Sequence, residues 1–299
     1  NEWKKNNFSF CCKIYIISLK SILTSYKFYL SLTYDWSNLF WICTFLTKYS
    51  HSWIYPWRWK MWKCGDWWSD TKFSKWKITF IPRANRVAYD RDVRQVEYNL
   101  NRIFDSHQNI SKEHQIAKLL EKHIENADYV IDLHSVYSGD TPFVFLDSDG
   151  EVMKNLCASP YIMTGWNEIY EWSQEKDTIS FAISRGKDGI TIECGSHKNS
   201  ESNEVAKRSV REVLEFFEMI DTEKREKILQ KFVKVEKLFW REKNAEFTKN
   251  FKNFDEITFG ESIGFSDDKE IFAENDWYII LPKAYGNVGD EWYYTGRDL

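Results

Sequence analysis

The chain has 299 residues, with 41 Lys and Arg against 45 Asp and Glu, net −4. It is long enough for one large domain or two smaller ones, each with a core, and overall too near neutral to point to nucleic acid. Cys11, Cys12, Cys43, Cys64, Cys157 and Cys194 include no CxxC pair, which reads as reduced thiols of a cytoplasmic protein rather than a disulfide framework. Apolar runs such as "IYIISL" and "FWICTFL" stop short of the roughly 18 uncharged residues of a spanning helix, and no clean signal peptide leads the chain, so no membrane partner is expected.

The charge is unevenly spread. Residues 1–76 hold 11 Lys and Arg against 4 Asp and Glu, and the remainder 30 against 41, so the two parts carry net +7 and −11. Ten of the fifteen tryptophans but only one glycine, Gly65, fall in the first part, and six of those tryptophans crowd into "HSWIYPWRWKMWKCGDWW", residues 51–68. So little glycine or proline is poor grammar for a folded domain. Taken at face value, Lys13, Lys20 and Lys27 recur every seven residues among aromatics and aliphatics, the pattern of an amphipathic helix at a membrane surface. A basic aromatic strip could also stack on single-stranded nucleic acid.

From residue 77 onward the patterns become conventional. "KITFIPRAN" predicts a buried strand over Ile78–Ile81, stopped by Pro82. "SKEHQIAKLLEKHIENA" places Ile116, Leu119, Leu120 and Ile124 on one helical stripe behind a Ser111 cap. "DYVIDLHS" is a short apolar strand with a polar end, "TPFVFLD" follows it, and "GITIECGS" is a strand after a glycine turn. "SNEVAKRSVREVLEFFEMI" spaces Val205, Val210, Val213, Leu214 and Phe217 helically. Strands alternating with helices predict an α/β fold, a mixed sheet flanked by helices, over residues 77–224. Beyond about Phe232 the apolar runs shorten, with turn signals at Gly260, Gly264, Gly286 and Gly289. They predict a small C-terminal all-β domain over residues 225–299.

Three segments carry chemistry. Asp132 and His134 are two apart in "VIDLHS" and share a face of their strand, with His134 where a parallel strand would meet a ligand. A neutral imidazole there suits zinc, with the carboxylate to orient ligands; a histidine hydrogen-bonded beneath a loop has the same sequence. In "ITIECGSH", Glu193 ends an apolar strand, where desolvation can raise its pKa and suit it to take a proton from water; structural carboxylates also end strands. His197 reads as support for the loop, and Cys194 as a small buried thiol. The densest segment, "IPRANRVAYDRDVRQVEYNLNRIF", crowds Arg83, Arg86, Arg91, Arg94 and Arg102 around Asn85, Asn99 and Asn101. Guanidinium forks grip carboxylates, so this stretch points to a small anionic substrate.

Together, and in this order, the segments resemble the succinylglutamate desuccinylase and aspartoacylase family, zinc hydrolases related to metallocarboxypeptidases. The family pattern is roughly N-P-x-A, an Arg, D-L-N-R-x-F, then D-L-H-S and an E-C-G or E-x-G strand. Here these are Asn85 to Ala88, Arg94, Asn99 to Phe104, Asp132 to Ser135 and Glu193 to Gly195. The resemblance covers about residues 77–299 and implies a zinc-dependent hydrolase of a small N-acylated acidic amino acid, or a related ester. It assigns His134 as a zinc ligand, Glu193 as general acid and base, Arg94 to the scissile carbonyl, and Asn101 and Arg102 to a substrate carboxylate. Arg86 stands where the family has Pro, and Asn99 where it has Asp, which removes a charge beside Arg102.

The family's first two zinc ligands come from an upstream H-G-[ND]-E motif that is missing here. The tryptophans account for its absence. Residues 56–62, "PWRWKMW", can be back-translated as CCA-TGG-AGA-TGA-AAA-ATG-TGG, with TGA read as tryptophan as in some genetic codes. Shifted by one base, this reads His-Gly-Asp-Glu-Lys-Cys-Gly, and Trp59 must be TGA for the glutamate. The shifted frame continues through "DWWSDTKFSKWK" and can rejoin near Lys77. Residues 1–76 therefore read as an out-of-frame, non-native translation of the family's N-terminal region. The chain as written is expected to be an impaired hydrolase or a binding-only homologue, and zinc content separates these from an active enzyme.

Overall fold

The computed structural model describes residues 13–18, 30–35, 40–45, 77–146, 151–169 and 176–299. Strands β1 (Lys13–Ser18), β2 (Leu30–Asp35), β3 (Phe40–Phe45) and β4 (Lys77–Ile81) are followed by helix α1 (Arg86–Asp90), a 3-10 turn over Leu100–Arg102 and helix α2 (Lys112–Glu125). Next come β5 (Tyr129–Val136), β6 (Phe143–Phe145), β7 (Tyr161–Thr164), α3 (Trp166–Ile169), α4 (Thr178–Ser184), β8 (Asp188–Ser196) and α5 (Glu201–Phe216). The rest is β: β9 (Lys231–Trp240), β10 (Glu246–Phe247), β11 (Asp255–Ile257), β12 (Ser262–Ser266), β13 (Lys269–Phe272), β14 (Trp277–Ile280) and β15 (Glu291–Asp298).

The main sheet is mixed, in the order β11-β14-β15-β9-β7-β6-β8-β5-β1-β4. β5 and β8 are parallel neighbours, as are β6 and β7, and β7 and β9. The α/β architecture with an all-β C-terminal part is as the sequence predicts. β10, β12 and β13 form a separate three-stranded antiparallel sheet.

Alternation along β5 and β8 sorts their side chains to two faces. Tyr129, Ile131 and Leu133, with Ile190, Ile192 and Cys194, pack in one core with Val213 and Leu214 of α5. Val130 turns the other way, into a core with Leu120 and Ile124 of α2 and Ile179 and Ala182 of α4. Asp132, His134, Thr191 and Glu193 share the parity of Val130 and Gly189, and so lie on this second face. A Cβ at Gly189 would sit 2.7 Å from the Val130 carbonyl oxygen and 3.0 Å from Ile179 Cδ1, so glycine lets α4 approach the sheet here.

The predicted elements differ from the structure in a few places. In α2, Ser111 caps as expected, its Oγ accepting from the His114 amide at 3.3 Å, but Leu119 is 59% exposed. The buried stripe runs through Ala117, Leu120 and Ile124, and at about 100° per residue Leu119 points roughly a third of a turn away from it. Gly264 is not in a turn. It lies within β12 and is pressed against the Glu246 carbonyl of β10, leaving no room for a Cβ.

At the other end of the chain, β1 pairs antiparallel with both β4 and β5, so a helix starting from Lys13 is replaced by a strand inside the sheet. The tryptophan-rich stretch 51–68 and Lys20 and Lys27 lie outside the described residues. Among the described residues no helix is long and apolar enough to cross a membrane.

Candidate active site

Parallel pairing of β5 with β8 sets His134 directly opposite Glu193, and Asp132 opposite Thr191. Both members of the first pair stand at the C-terminal ends of their strands. Beyond them, Gly195 has φ +110°, and a Cβ there would lie 2.9 Å from the Asp140 carbonyl oxygen. Glycine thus lets the chain turn under the 137–142 loop immediately after Glu193.

The buried Asp132 carboxylate lies beside His134, with Oδ2 2.9 Å from Nε2. Glu193 is 8% exposed, and among the described residues its Oε2 has no hydrogen-bond partner. Burial pushes its pKa above the ordinary carboxylate range, against the pull of His134; Asp132 adds to the rise, and Arg94 and Arg102 oppose it. A carboxyl whose pKa is raised this way is a stronger proton acceptor when ionised than an ordinary carboxylate, and can give the proton back.

The 3-10 turn brings in the arginine-rich segment. Asn99 starts it, its side chain accepting from the Asn101 amide at 3.2 Å. Asn101 Oδ1 accepts from the Thr178 amide at 2.9 Å and from Thr178 Oγ1 at 2.8 Å, at the first residue of α4. These bonds fix the amide so that its Nδ2 lies 3.5 Å from His134 Nε2. Arg102 donates from Nη1 to the Asn101 carbonyl at 2.7 Å, and its Nη2 lies 3.5 Å from Glu291 Oε1 of β15.

Arg94, Asn101, Arg102, His134 and Glu193 therefore line one cleft. The other arginines of the segment do not join them. Arg83 lies 3.7 Å and Arg86 3.4 Å from Asp90, while Arg91 is exposed and is not among the residues that line the cleft. Cys194 is buried in the core on the α5 side of the sheet, as expected of a structural thiol. His197 supports the loop, with Nδ1 2.6 Å from Ser135 Oγ and its ring edge-on to Tyr137 at 4.8 Å.

Other lining groups come from segments in which the sequence shows no functional signal. Val136, Phe145, Trp166, Leu281 and Pro282 form an apolar wall, within which Phe145 and Trp166 pack edge to face at 4.8 Å. Lys283 and Glu291 add charge from the C-terminal part. No motif surrounds them, and only the sheet brings them near Arg102.

Among the described residues no three His, Cys, Asp or Glu side chains converge to hold a metal ion. A catalytic zinc needs three protein ligands, and His134 alone of the expected set is in place, so the described residues do not fit that ion.

The chain matches the family described as the succinylglutamate desuccinylase/aspartoacylase catalytic domain over residues 68–217. No curated protein sequence matches it. Among solved structures, it is similar to a succinylglutamate desuccinylase from Vibrio parahaemolyticus, with TM-score 0.58, 17% identity, and coverage of 74% of this chain and 71% of that one. A succinylglutamate desuccinylase/aspartoacylase from Rhodobacter sphaeroides superposes with TM-score 0.57 at 20% identity, covering 75% of each chain. The product-bound ectoine utilization protein EutE (DoeB) from Ruegeria pomeroyi does so with TM-score 0.58 at 18% identity, again over 75% of each. Those likenesses establish the fold, and the family match spans half of the sequence: this chain belongs to the succinylglutamate desuccinylase/aspartoacylase family.

Proposed function

We propose that residues 77–299 carry the substrate-binding and proton-transfer parts of a cytoplasmic deacylase that cleaves the amide, or a related ester, of a small N-acylated acidic amino acid. The observation that carries this reading is the convergence of a buried, partner-poor Glu193 with Arg94, Asn101, Arg102 and the Asp132–His134 pair in one cleft. In the proposed reaction Arg102 and Asn101 hold the substrate carboxylate and Arg94 faces the scissile carbonyl. Glu193 takes a proton from water and returns it to the departing amine, a role served by the pKa that burial raises.

In this reading zinc is the family cofactor, His134 is one ligand, and the other two belong to the motif that the present frame lacks. The chain as written is then impaired in turnover, and its gene has TGA at the Trp59 codon and a one-base shift near Lys77. Nucleotide sequence across residues 40–80 tests this directly: TGG at Trp59, or codons that cannot yield His-Gly-Asp-Glu, would remove the frame argument.

The protein-level test measures zinc per chain and amine release from N-acyl-aspartate and N-acyl-glutamate, before and after frame correction. Neither tight zinc binding nor hydrolysis is expected before correction, and both are expected after it. In the corrected protein Glu193→Gln keeps zinc and loses most turnover, and Arg102→Ala weakens substrate binding by roughly 2 to 5 kcal/mol. One zinc per molecule together with hydrolysis in the uncorrected chain would mean a site built from other residues, such as His51 or His197.

A further inference from the structure

The N-terminal end of α2 gathers the chain behind the arginine-rich segment. Glu113, the second residue of the helix, is 1% exposed, and its Oε1 accepts from the Val96 amide at 2.8 Å, the Glu97 amide at 3.2 Å and Asn85 Nδ2 at 3.1 Å. Asn85 in turn caps α1, its Oδ1 accepting from the Ala88 amide at 3.1 Å. One carboxylate oxygen therefore ties together the start of α1, the stretch 94–98 and the start of α2. Burial would raise the Glu113 pKa, but hydrogen bonds from the Val96 and Glu97 amides, from its own amide and from Asn85 outweigh it and hold the carboxyl below its usual range. The group is thus an ionised acceptor, and its bonds to the two loop amides are charge-assisted.

The stretch held in this way carries Arg94. The arginine stands two residues before Val96, is exposed, and lines the cleft. Residues 94–98 belong to no helix or strand, so neither helical bonds nor sheet pairing fix their path. The fixed point is α2, whose Leu120 and Ile124 share a core with Val130 of β5 and Ile179 of α4, on the face of the sheet that carries His134 and Glu193. Beside Glu113, the buried His114 has Nδ1 2.8 Å from Ser111 Oγ, and its ring meets that of Tyr98 edge to face at 4.8 Å. A mechanical route thus runs from the sheet through α2 and Glu113 to the loop of Arg94, although Glu113 itself is not among the residues that line the cleft. An arginine on a free loop loses conformational freedom when it meets a ligand, and a pinned loop has given up part of that freedom beforehand.

We propose that Glu113 is the positioning residue for Arg94, holding the 94–98 loop against α2 so that the guanidinium is presented at the cleft. This rests on the deacylase reading above, in which Arg94 faces the scissile carbonyl, and adds to it the residue on which that arginine depends. It also gives Asn85 of the family pattern a part, as the third donor to the same oxygen.

Two measurements on the full chain test it. Hydrogen exchange of a peptide spanning residues 93–98, read by mass spectrometry, reports the tether without any ligand, and calorimetric binding of N-acetyl-aspartate reports Arg94. Glu113→Met, which keeps the volume but offers no oxygen, should speed exchange in that peptide by about tenfold or more and leave peptides of β5 and β8 unchanged. It should also weaken the probe by about tenfold, and Glu113→Gln, which keeps Oε1, should restore both readings to within about threefold. In an Arg94→Ala chain, itself about tenfold weaker, adding Glu113→Met should cost less than about twofold more. Val96→Pro removes one donor from the loop and spares the buried carboxylate, and it should show the same coupling to Arg94.

Unchanged exchange at residues 93–98 in Glu113→Met, a loss that Glu113→Gln does not restore, or effects fully additive with Arg94→Ala would overturn the proposal and leave the deacylase reading standing. If Glu113→Met loses the circular dichroism of the fold, Val96→Pro decides, and additivity with Arg94→Ala then overturns the proposal. An Arg94→Ala chain that binds the probe as the unaltered chain does, or no saturable binding by the unaltered chain, overturns the reading and the proposal with it.

Discussion

His197 shows how one side chain ties the cleft to the stability of the fold. Burial, helped by the neighbouring charges of Arg94, His134 and Lys198, lowers its pKa from 6.5 to about 4. Below pH 6.5 the unfolded chain takes up a proton that the folded one refuses, so stability falls with pH through the window from 6.5 to about 4 and is flat with respect to this group below it. The difference is worth up to about 3 kcal/mol. His197→Asn, which keeps a polar atom toward Ser135, should flatten urea-denaturation stability across that window. An unchanged pH slope in the variant would show that other groups set the acid limb.

Helix α5 illustrates a different balance at the scale of an element. It carries Glu212 and Glu215 on its buried side, each paired one turn back, Arg208 to Glu212 at 2.9 Å and Arg211 to Glu215 at 3.0 Å. Arg225, from the segment between α5 and β9, adds a two-nitrogen grip on Glu215 and approaches Glu212 at 3.9 Å. Burial alone would raise the Glu215 pKa, but the hydrogen bonds from Arg225 and Arg211 outweigh it and hold the carboxyl below its usual range. Removing Arg225 leaves a buried carboxylate short of its partner. Arg225→Met should cost about 3 kcal/mol in denaturant unfolding, and Arg225→Met with Glu215→Leu should recover a large part of it. If the double variant is no more stable than the sum of the single ones, the pair is not coupled.

Elements such as α5 were legible because their signals are local. Period 3.6 marks α2 and α5, and apolar runs ending in polar residues mark β5 and β8. His134 and Glu193 could be read from the sequence because each sits at the end of such a run, and Asn101 and Arg102 because the arginine-rich stretch is dense. Lys283 and Glu291 have no comparable pattern. They reach the cleft through the antiparallel pairings of β15 with β14 and β9 and the parallel pairing of β9 with β7, which no local window contains. The same holds for β1, an apolar run whose place between β4 and β5 is set wholly by long-range pairing. Gly264 was misread because its small size serves a close strand contact, and a sequence shows the glycine without the neighbour.

At the scale of the whole molecule, the shortening of the apolar runs beyond about Phe232 marks a change of topology within a shared core. β9 continues the main sheet beside β7, and one cluster joins Val136, Phe143, Phe145, Met163 and Trp166 to Val233, Val235, Phe254, Tyr278, Ile280 and Tyr294. Tyr161 stacks on Phe254 with ring centres 3.9 Å apart, and Trp166 lies 4.9 Å from Tyr294. Each such side chain is stabilised by about 1.5 to 3 kcal/mol of burial, so neither part can lose the other without uncovering several of them at once. The cleft straddles the same seam, since Arg102 and Glu291 meet across it. Residues 77–299 should therefore unfold in one cooperative transition, with near-ultraviolet circular dichroism, which reports the aromatic seam, coincident with the far-ultraviolet signal. A fragment ending at residue 224 should be insoluble or bind a hydrophobic dye, and two resolved transitions in the longer protein would show that the seam is not the joint that this packing implies.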